Sequence, residues 1–432
     1  MKTSHVVIIG GGFAGINCAK SLRKANVHIT IIDRDNHHLF QPLLYQVATA
    51  ALSAGDIAVP IRALFSKQDN VDIILGEVTE VQKDLNKIIL SEGRSVAYDY
   101  LVMAPGSRYN YFGNDQWSQN APGLKSLSDA LNIRERILIS LERAEQLNDP
   151  DQQQPYLTFA IIGGGPTGVE MAGAIAEIVK RNMMRDFRHI HPHQAKIYLI
   201  EATSGILNGF SEKLSKKAQT TLKNMGVDIL LNNPVTDISD RLVTTKNRKI
   251  KSANIIWAAG VQASPLLQSL HCETDKSGRV VVNKDFTISG HSNVFVIGDA
   301  AHYVESGNDQ PLPALAPVAI QEGKYVAKIL KKNVAPVYRK PFHYIDKGTM
   351  ATIGRAKAVA QIRKWKISGF LAWLAWSFIH IFYLIGFRNR FRVMLEWMWY
   401  YLTFRRGVRL ITDREMLDET DPNNNLLLKR SE

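Results

Sequence analysis

The chain predicts an α/β fold of two Rossmann-like βαβ units followed by a helical, aromatic C-terminal region. Three observations carry this. A glycine-rich turn, Gly10-Gly11-Gly12-Phe13-Ala14-Gly15, stands between a strand pattern and a helix pattern. The same arrangement recurs at Gly163 to Gly168. Basic and aromatic residues then crowd into one late segment, Gln361 to Arg409. Across 432 residues, with 45% hydrophobic and 22% charged side chains, there is ample material for a packed core.

In the first unit, the short apolar run Val6-Val7-Ile8-Ile9 reads as a buried parallel strand. The turn follows, then a helix predicted to run through Lys24, then a strand from Val27 to Ile32 that ends in Asp33. An acid 18 positions beyond the last glycine completes a dinucleotide-binding pattern. Gly10 allows the tight turn, Gly12 lets backbone approach a diphosphate, and Gly15 lets helix and strand pack closely. The diphosphate would sit at the helix N-terminus, where free N–H groups favour anions, with Asp33 accepting from ribose hydroxyls.

The second unit repeats this logic. Leu157 to Ile162 is a strand, Gly163-Gly164-Gly165-Pro166-Thr167-Gly168 the turn, and a helix is predicted from Val169. Ile197 to Ile200 leads to Glu201, 33 positions past Gly168. A carboxylate at the ribose edge accepts from a 2′-hydroxyl and repels a 2′-phosphate, and no arginine follows in Ala202-Thr203-Ser204. The unit is therefore expected to take NADH rather than NADPH. The longer crossover accommodates His189-Ile190-His191-Pro192-His193, where no cysteine or acid adjoins, so no metal is expected.

A strand at Asn293 to Ile297 runs into Gly298-Asp299-Ala300-Ala301, and Ala104-Pro105-Gly106-Ser107 and Trp257-Ala258-Ala259-Gly260 follow strand-like runs of their own. Ser126 to Asp129 reads as a helix start leading to Leu147, with a linker at 148–155. The two cysteines, Cys18 and Cys272, exclude a disulfide scaffold, a CxxC redox pair and a cysteine zinc site. Met1-Lys2-Thr3 enters a strand pattern at once, without the apolar region of a signal peptide.

The net charge of +13 is uneven. From Gln361 to Arg409 nine basic residues face one acid, Glu396, giving +8. The 21 residues between Lys366 and Arg388 carry no formal charge; as one helix they would extend ~31 Å, enough to match a hydrocarbon core. A helix lying in the membrane surface is the preferred expectation, because Ser368, Gly369, Ser377, His380 and Gly386 dilute the run and arginines bracket the next aromatic segment. A transmembrane span and a buried hairpin at a dimer interface are the alternatives. Nucleic acid is not an expected partner, since the aromatics are not spaced as stacking platforms.

Paired dinucleotide folds closed by a late Gly-Asp-Ala resemble the two-dinucleotide-binding-domain flavoproteins of the glutathione reductase type. Within that group, several segments resemble the bacterial type II, non-proton-pumping NADH:quinone oxidoreductases: Phe40 to Thr49, Gly165 to Glu170, Ala316 to Gly323, Lys347 to Gly354 and Phe404 to Gly407. The resemblance implies non-covalent FAD, NADH as donor, a membrane quinone (ubiquinone or menaquinone) as acceptor, and a monotopic homodimer on the cytoplasmic face of the inner membrane. It also implies three functional regions: an FAD-binding domain at 1–120 and 261–335, an NADH-binding domain at 121–260, and a membrane and dimerisation region at 336–432, with the tail from Asp413 frayed. Lacking thiol pairs, the chain must pass electrons directly from flavin to a diffusible acceptor.

Residue by residue, the resemblance assigns Gly10, Gly11, Gly12, Phe13, Ala14, Gly15, Asp33 and Arg34 to FAD, with Gln46, Val78, Ala104, Gly106, Gly298, Asp299 and Ala316. It assigns Gly163, Gly165, Thr167, Gly168, Glu201 and Gly260 to NADH. Glu170 and Gln321 are the catalytic candidates. Glu170 is expected in the first turn of the phosphate-binding helix, where an acid would repel the diphosphate unless its side chain reaches elsewhere, which suggests nicotinamide orientation or proton relay; a carboxylate favoured by the helix dipole is the other reading. The sequence departs from the Ala-Gln-x-Ala-x-Gln form of many relatives: Pro317 replaces the first glutamine and cannot donate a hydrogen bond. A soluble NADH-dependent flavin reductase and a non-catalytic NADH sensor of the apoptosis-factor type are the rival functions.

Overall fold

The structure is a computed structural model describing residues 3–179, 186–403 and 408–411. The Phe404 to Gly407 motif and the tail from Asp413 lie outside the described residues. The chain divides into two compact units, Met1–Leu39 with Ala58–Asn110 and Val261–Lys347, and Phe40–Ile57 with Tyr111–Gly260 and Gly348–Glu432.

The first unit is built on a six-stranded sheet in the order Thr287–Ile288, His291–Val296, Tyr100–Met103, Ser4–Ile9, Val27–Asp33, Val71–Leu75. All neighbours are parallel except the first pair. Val6, Val7 and Ile8 are wholly buried, as a strand covered on both faces requires. Helix Phe13–Ser21 packs on helix Ala316–Lys331 so closely that a Cβ on Gly323 would come within 2.3 Å of the Ala14 carbonyl oxygen. The first helix stops three residues before the predicted Lys24. Its end tightens, with Leu22 N–H shared between the Cys18 and Ala19 carbonyls and Ala25 N–H bonded to Leu22. Cys18 is fully buried there, and burial pushes its thiol up to about 12.

The second unit carries a four-stranded parallel sheet in the order Val227–Leu230, Lys196–Ile200, Thr158–Ile162, Asn254–Trp257. Helix Leu127–Gln146 begins with a capping box, as the Ser126 side chain accepts from Asp129 N–H while the Asp129 carboxylate accepts from Ser126 N–H. The predicted linker contains a short helix, Pro150–Gln153, capped by Asp149. Gln153 is buried and fastens the end of the long helix by donating to the Ala144 and Leu147 carbonyls. The nucleotide helix starts at Pro166 rather than Val169, because proline suits the first helical position.

The same unit includes a three-stranded antiparallel sheet, Thr349–Gly354, Lys357–Ile362 and Trp365–Gly369, followed by helices Phe370–Tyr383 and Phe387–Thr403. This corrects the single long helix expected after Lys366. The start of the uncharged run is an edge strand, paired to 357–362 through a two-residue turn at Arg363-Lys364, with Arg363 at φ 52°. Gly369 (φ 81°) and Gly386 (φ 93°) break the remainder. The 14-residue helix that results is ~21 Å long, and no helix among the described residues is long and apolar enough to cross a membrane. Its polarity is inverted: Trp376 is 2% exposed, whereas Phe378 is 71% exposed, in line with Phe370, Leu374 and Phe382.

Candidate cofactor and catalytic site

Within the first unit the glycine turn leaves room where a cofactor needs it and none elsewhere. A Cβ on Gly10 would lie 2.1 Å from the Ala104 carbonyl oxygen, and one on Gly15 would lie 2.0 Å from the carbonyl oxygen of Gly10. Gly12, by contrast, faces open space, and a methyl group placed on it would have no neighbour within 4 Å. The helix behind it, opening with Phe13 and Ala14, has no side-chain cap and no acid in its first turn, so its N–H groups remain available to an anion.

The second unit has the same geometry. A Cβ on Gly163 would meet Ala258 at 2.7 Å, one on Gly168 would meet the Gly163 carbonyl oxygen at 1.9 Å, and Gly165 faces open space. Helix Pro166–Glu177, with Thr167 in its first turn, is likewise uncapped. Gly260 takes φ 71°, and a side chain there would strike the Phe112 ring. Each cradle fits one dinucleotide diphosphate, because Gly12 and Gly165, at the mouths of their turns, leave the approach to the backbone open.

The strand-end acids do more than the sequence suggests. Asp33 accepts the Gly11 N–H through one oxygen and the Asp35 N–H through the other. Glu201 accepts the Gly164 N–H at 2.6 Å and the Thr203 N–H at 2.8 Å. Each acid thus clamps the glycine turn of its own unit while keeping lone pairs for a ribose. Burial raises the Asp33 carboxyl above its ordinary value, against the two N–H bonds that lower it. Arg34 is exposed beside Asp35, and Val78 is buried at the start of strand Val78–Gln82.

A third acid repeats the device, and sequence reasoning missed it. Glu322 is 2% exposed and accepts the Gly298 N–H, holding the turn that presents Asp299, which itself accepts from the Ser107 hydroxyl. Burial pushes the Glu322 carboxyl up to about 8; the Asp299 charge adds to the shift and the Gly298 N–H opposes it. Ala104 and Gly106 follow the end of strand Tyr100–Met103, with Gly106 at φ 72°, and Ala316 opens helix Ala316–Lys331. On that helix the Gln321 amide donates to the Pro317 and Ile345 carbonyls and accepts from Ile345 N–H at 3.1 Å.

In the second unit Glu170 lies at the fifth position of its helix, beyond the first turn. Its carboxylate turns from the phosphate end to the N–H of Thr352, 3.4 Å away on the C-terminal sheet. Desolvation pushes it up to about 8, with the Thr352 contact opposing. Glu170 lines a cavity of about 40 Å³ shared with Gln46, Thr49, Glu177, Trp376 and Trp397. Gln46 donates to the Tyr45 hydroxyl at 2.9 Å and accepts from the Trp397 indole at 2.8 Å. The two indoles stack with centroids 5.5 Å apart. Gln46, placed with the flavin contacts on sequence grounds, thus groups with Glu170 and the C-terminal helices.

Two dinucleotide cradles, each clamped by its own acid, define a nicotinamide- and flavin-dependent oxidoreductase, and the pyridine nucleotide-disulphide oxidoreductase family matches residues 4–323. The NDH2 C-terminal domain matches residues 347–406. Among curated proteins, the type II NADH:quinone oxidoreductase Ndh of Mycobacterium tuberculosis is 44% identical, covering 97% of this chain and 92% of its own length. NdhA of the same organism is 42% identical, covering 95% of this chain and 90% of its own. The chain belongs to the type II NADH:quinone oxidoreductase family. Its fold is that of NDH2 from Plasmodium falciparum solved with NADH, at a TM-score of 0.86 and 21% identity, covering 94% of this chain and 100% of that one.

Proposed function

We propose that this chain oxidises NADH and passes the electrons through bound FAD to a membrane quinone, without pumping protons, as a homodimer docked on the cytoplasmic face of the inner membrane. The observation that carries the reading is the cavity in which Glu170, of the nucleotide helix, meets Trp376 and Trp397, of helices whose other faces expose apolar side chains. Family membership supports it independently.

Bound FAD supplies the redox chemistry, taking two electrons from NADH and handing them to quinone. The chain supplies position. The uncapped helix starts behind Gly12 and Gly165 would hold the diphosphates, Asp33 and Glu201 would take the riboses, and Asp299 would take the flavin side chain. Gly260 keeps side chains off its loop. Glu170, held largely protonated at neutral pH, orients the nicotinamide or gives a proton to the reduced acceptor. Gln321 serves as a positioning residue, since both of its N–H donors are engaged by backbone. Regions 1–120 with 261–335, 121–260 and 336–432 divide these tasks as FAD binding, NADH binding and membrane docking.

The inverted helix Phe370–Tyr383 suits the headgroup boundary: its exposed phenylalanines enter lipid while Arg363, Lys364 and Lys366 lie next to it in sequence. The test is anaerobic. Purified protein should carry bound flavin that NADH bleaches and a short-chain quinone restores. Absence of flavin, or reduced flavin that quinone cannot reoxidise, overturns the reading.

A further inference from the structure

Glu170, Ala174 and Glu177 recur at i, i+4 and i+7 and therefore share one face of helix Pro166–Glu177. All three line the same cavity. Seven residues of helix separate the two acids by ~10.5 Å; on that face Gly173 packs against the Ile353 backbone, and Ala174 beside it lines the cavity. At about 40 Å³ the cavity is far too small for a quinone ring. A buried water needs roughly 10–15 Å³ of such volume and two to four polar partners, so the space suits about two or three waters. Three or four hydrogen bonds of about 2.8 Å would then cover the distance.

The walls are polar where waters need partners. The Trp376 indole N–H is buried and has no acceptor among the described residues. Thr49 and Gln46 line the same side. At the far end Glu177 is part-exposed and accepts the backbone N–H of Arg355. Tyr45, on the helix Leu44–Ala48, and Arg355, in the turn between strands Thr349–Gly354 and Lys357–Ile362, are the other titratable groups lining the cavity.

We propose that this cavity holds a short file of water through which Glu177 passes protons from solvent to Glu170. The proposal rests on the functional reading above and supplies what that reaction lacks. NADH releases a hydride, which is two electrons with one proton, whereas the quinol formed carries two protons. One proton per turnover must therefore come from solvent. Glu170 gives its proton to the reduced quinone oxygen and is reprotonated through the file; Glu177 gives the replacement and recovers its own from bulk water.

The test uses the flavin-loaded protein as wild type, Glu177→Gln, Glu177→Asp and Ala174→Val. Flavin reduction by NADH is followed anaerobically, then reoxidation by a short-chain quinone in H2O and D2O. The infrared carbonyl stretch of the protonated Glu170 carboxyl reports its hydrogen–deuterium exchange. Glu177→Gln should slow reoxidation by about tenfold, the low end for loss of a proton-transfer group, and raise the solvent isotope effect, with flavin reduction unchanged. Glu177→Asp should restore most of the rate. Ala174→Val, which narrows the file, should act in the same direction and slow Glu170 exchange. Reoxidation at the wild-type rate and isotope effect in Glu177→Gln, with equally fast Glu170 exchange, overturns the proposal. If the wild type itself is not reoxidised by quinone, the functional reading falls, and Glu170 exchange alone then decides whether the file connects the two acids.

Discussion

The indole N–H of Trp397 donates to Oε1 of Gln46 at 2.8 Å, joining positions 351 residues apart in the sequence. Both side chains are buried, and both line the cavity that Glu170 shares. Trp397→Phe keeps an aromatic ring but shrinks it and leaves Gln46 Oε1 without the indole donor, the lost hydrogen bond alone costing about 1–3 kcal/mol. The variant should show a lower thermal midpoint and slower flavin reoxidation by quinone, with NADH-dependent flavin reduction unaltered. Equal unfolding curves would show that Gln46 finds another donor.

The glycines of each turn separate into two kinds. Gly15→Ala places a methyl group 2.0 Å from a carbonyl oxygen and should prevent the unit from folding to soluble protein. Gly12→Ala meets no atom of the chain, so the fold should survive while flavin is lost from the purified protein. The ratio of flavin to protein by absorbance checks both.

Glu201 clamps the Gly164 turn, and in the proposed ribose-binding role its charge would repel a 2′-phosphate. Glu201→Gln retains an oxygen for the Gly164 N–H while removing the charge. The ratio of kcat/KM for NADH over NADPH should fall by about tenfold, roughly 1.4 kcal/mol, mostly through KM for the two nucleotides. An unchanged ratio would show that selectivity resides elsewhere.

Two raised carboxyls give opposite-facing tests. Glu322 rises from 4.5 to about 8 on folding, so between those values the folded chain keeps a proton that the unfolded chain has released. Its contribution to stability is therefore lost as pH rises through that window and is constant above it. Glu322→Gln should flatten the fall in thermal midpoint and in flavin retention between pH 5 and pH 8, values set by that same window. In the role proposed above, Glu170, with its carboxyl pushed up to about 8, can give a proton only below that value, so quinone-dependent reoxidation should decline as pH rises through about 8. Glu170→Gln should lower the rate by about 10²-fold and remove that limb.

The membrane docking proposed above would reside in side chains that the fold leaves outside. Phe378→Glu removes an apolar group worth about 1.5–3 kcal/mol on burial and adds a charge. Co-sedimentation with anionic vesicles should fall at least tenfold, while flavin reduction by NADH in solution stays intact.

Much of this was legible in the sequence because the required residues leave no alternative. Gly10 at φ 102° and Gly163 at φ 111° occupy conformations that side chains avoid, and the acids Asp33 and Glu201 close each parallel strand. The C-terminal run was less legible. Hydropathy does not report strand pairing, so Ile367 to Gly369, the end of strand Trp365–Gly369, read as the start of a helix. Glu322 and Trp376 carry no pattern at all, because each is placed by a neighbour distant in sequence: Gly298 for the first, the Trp397 ring for the second. Gln321 was visible as a residue, but its engagement with Ile345 was not.

Gly173 has a consequence beyond packing. A methyl group there would lie 1.8 Å from the Ile353 carbonyl oxygen, so helix Pro166–Glu177 and strand Thr349–Gly354 touch backbone to backbone. Such a contact has no compliant side chain to absorb a shift. The strand that continues through its hairpin into the exposed aromatic helix is thereby fixed in height against the helix that carries Glu170. On the docking proposed above, the depth at which the aromatic helix would settle in lipid sets, as through a strut, the level at which that carboxyl would stand above the bilayer.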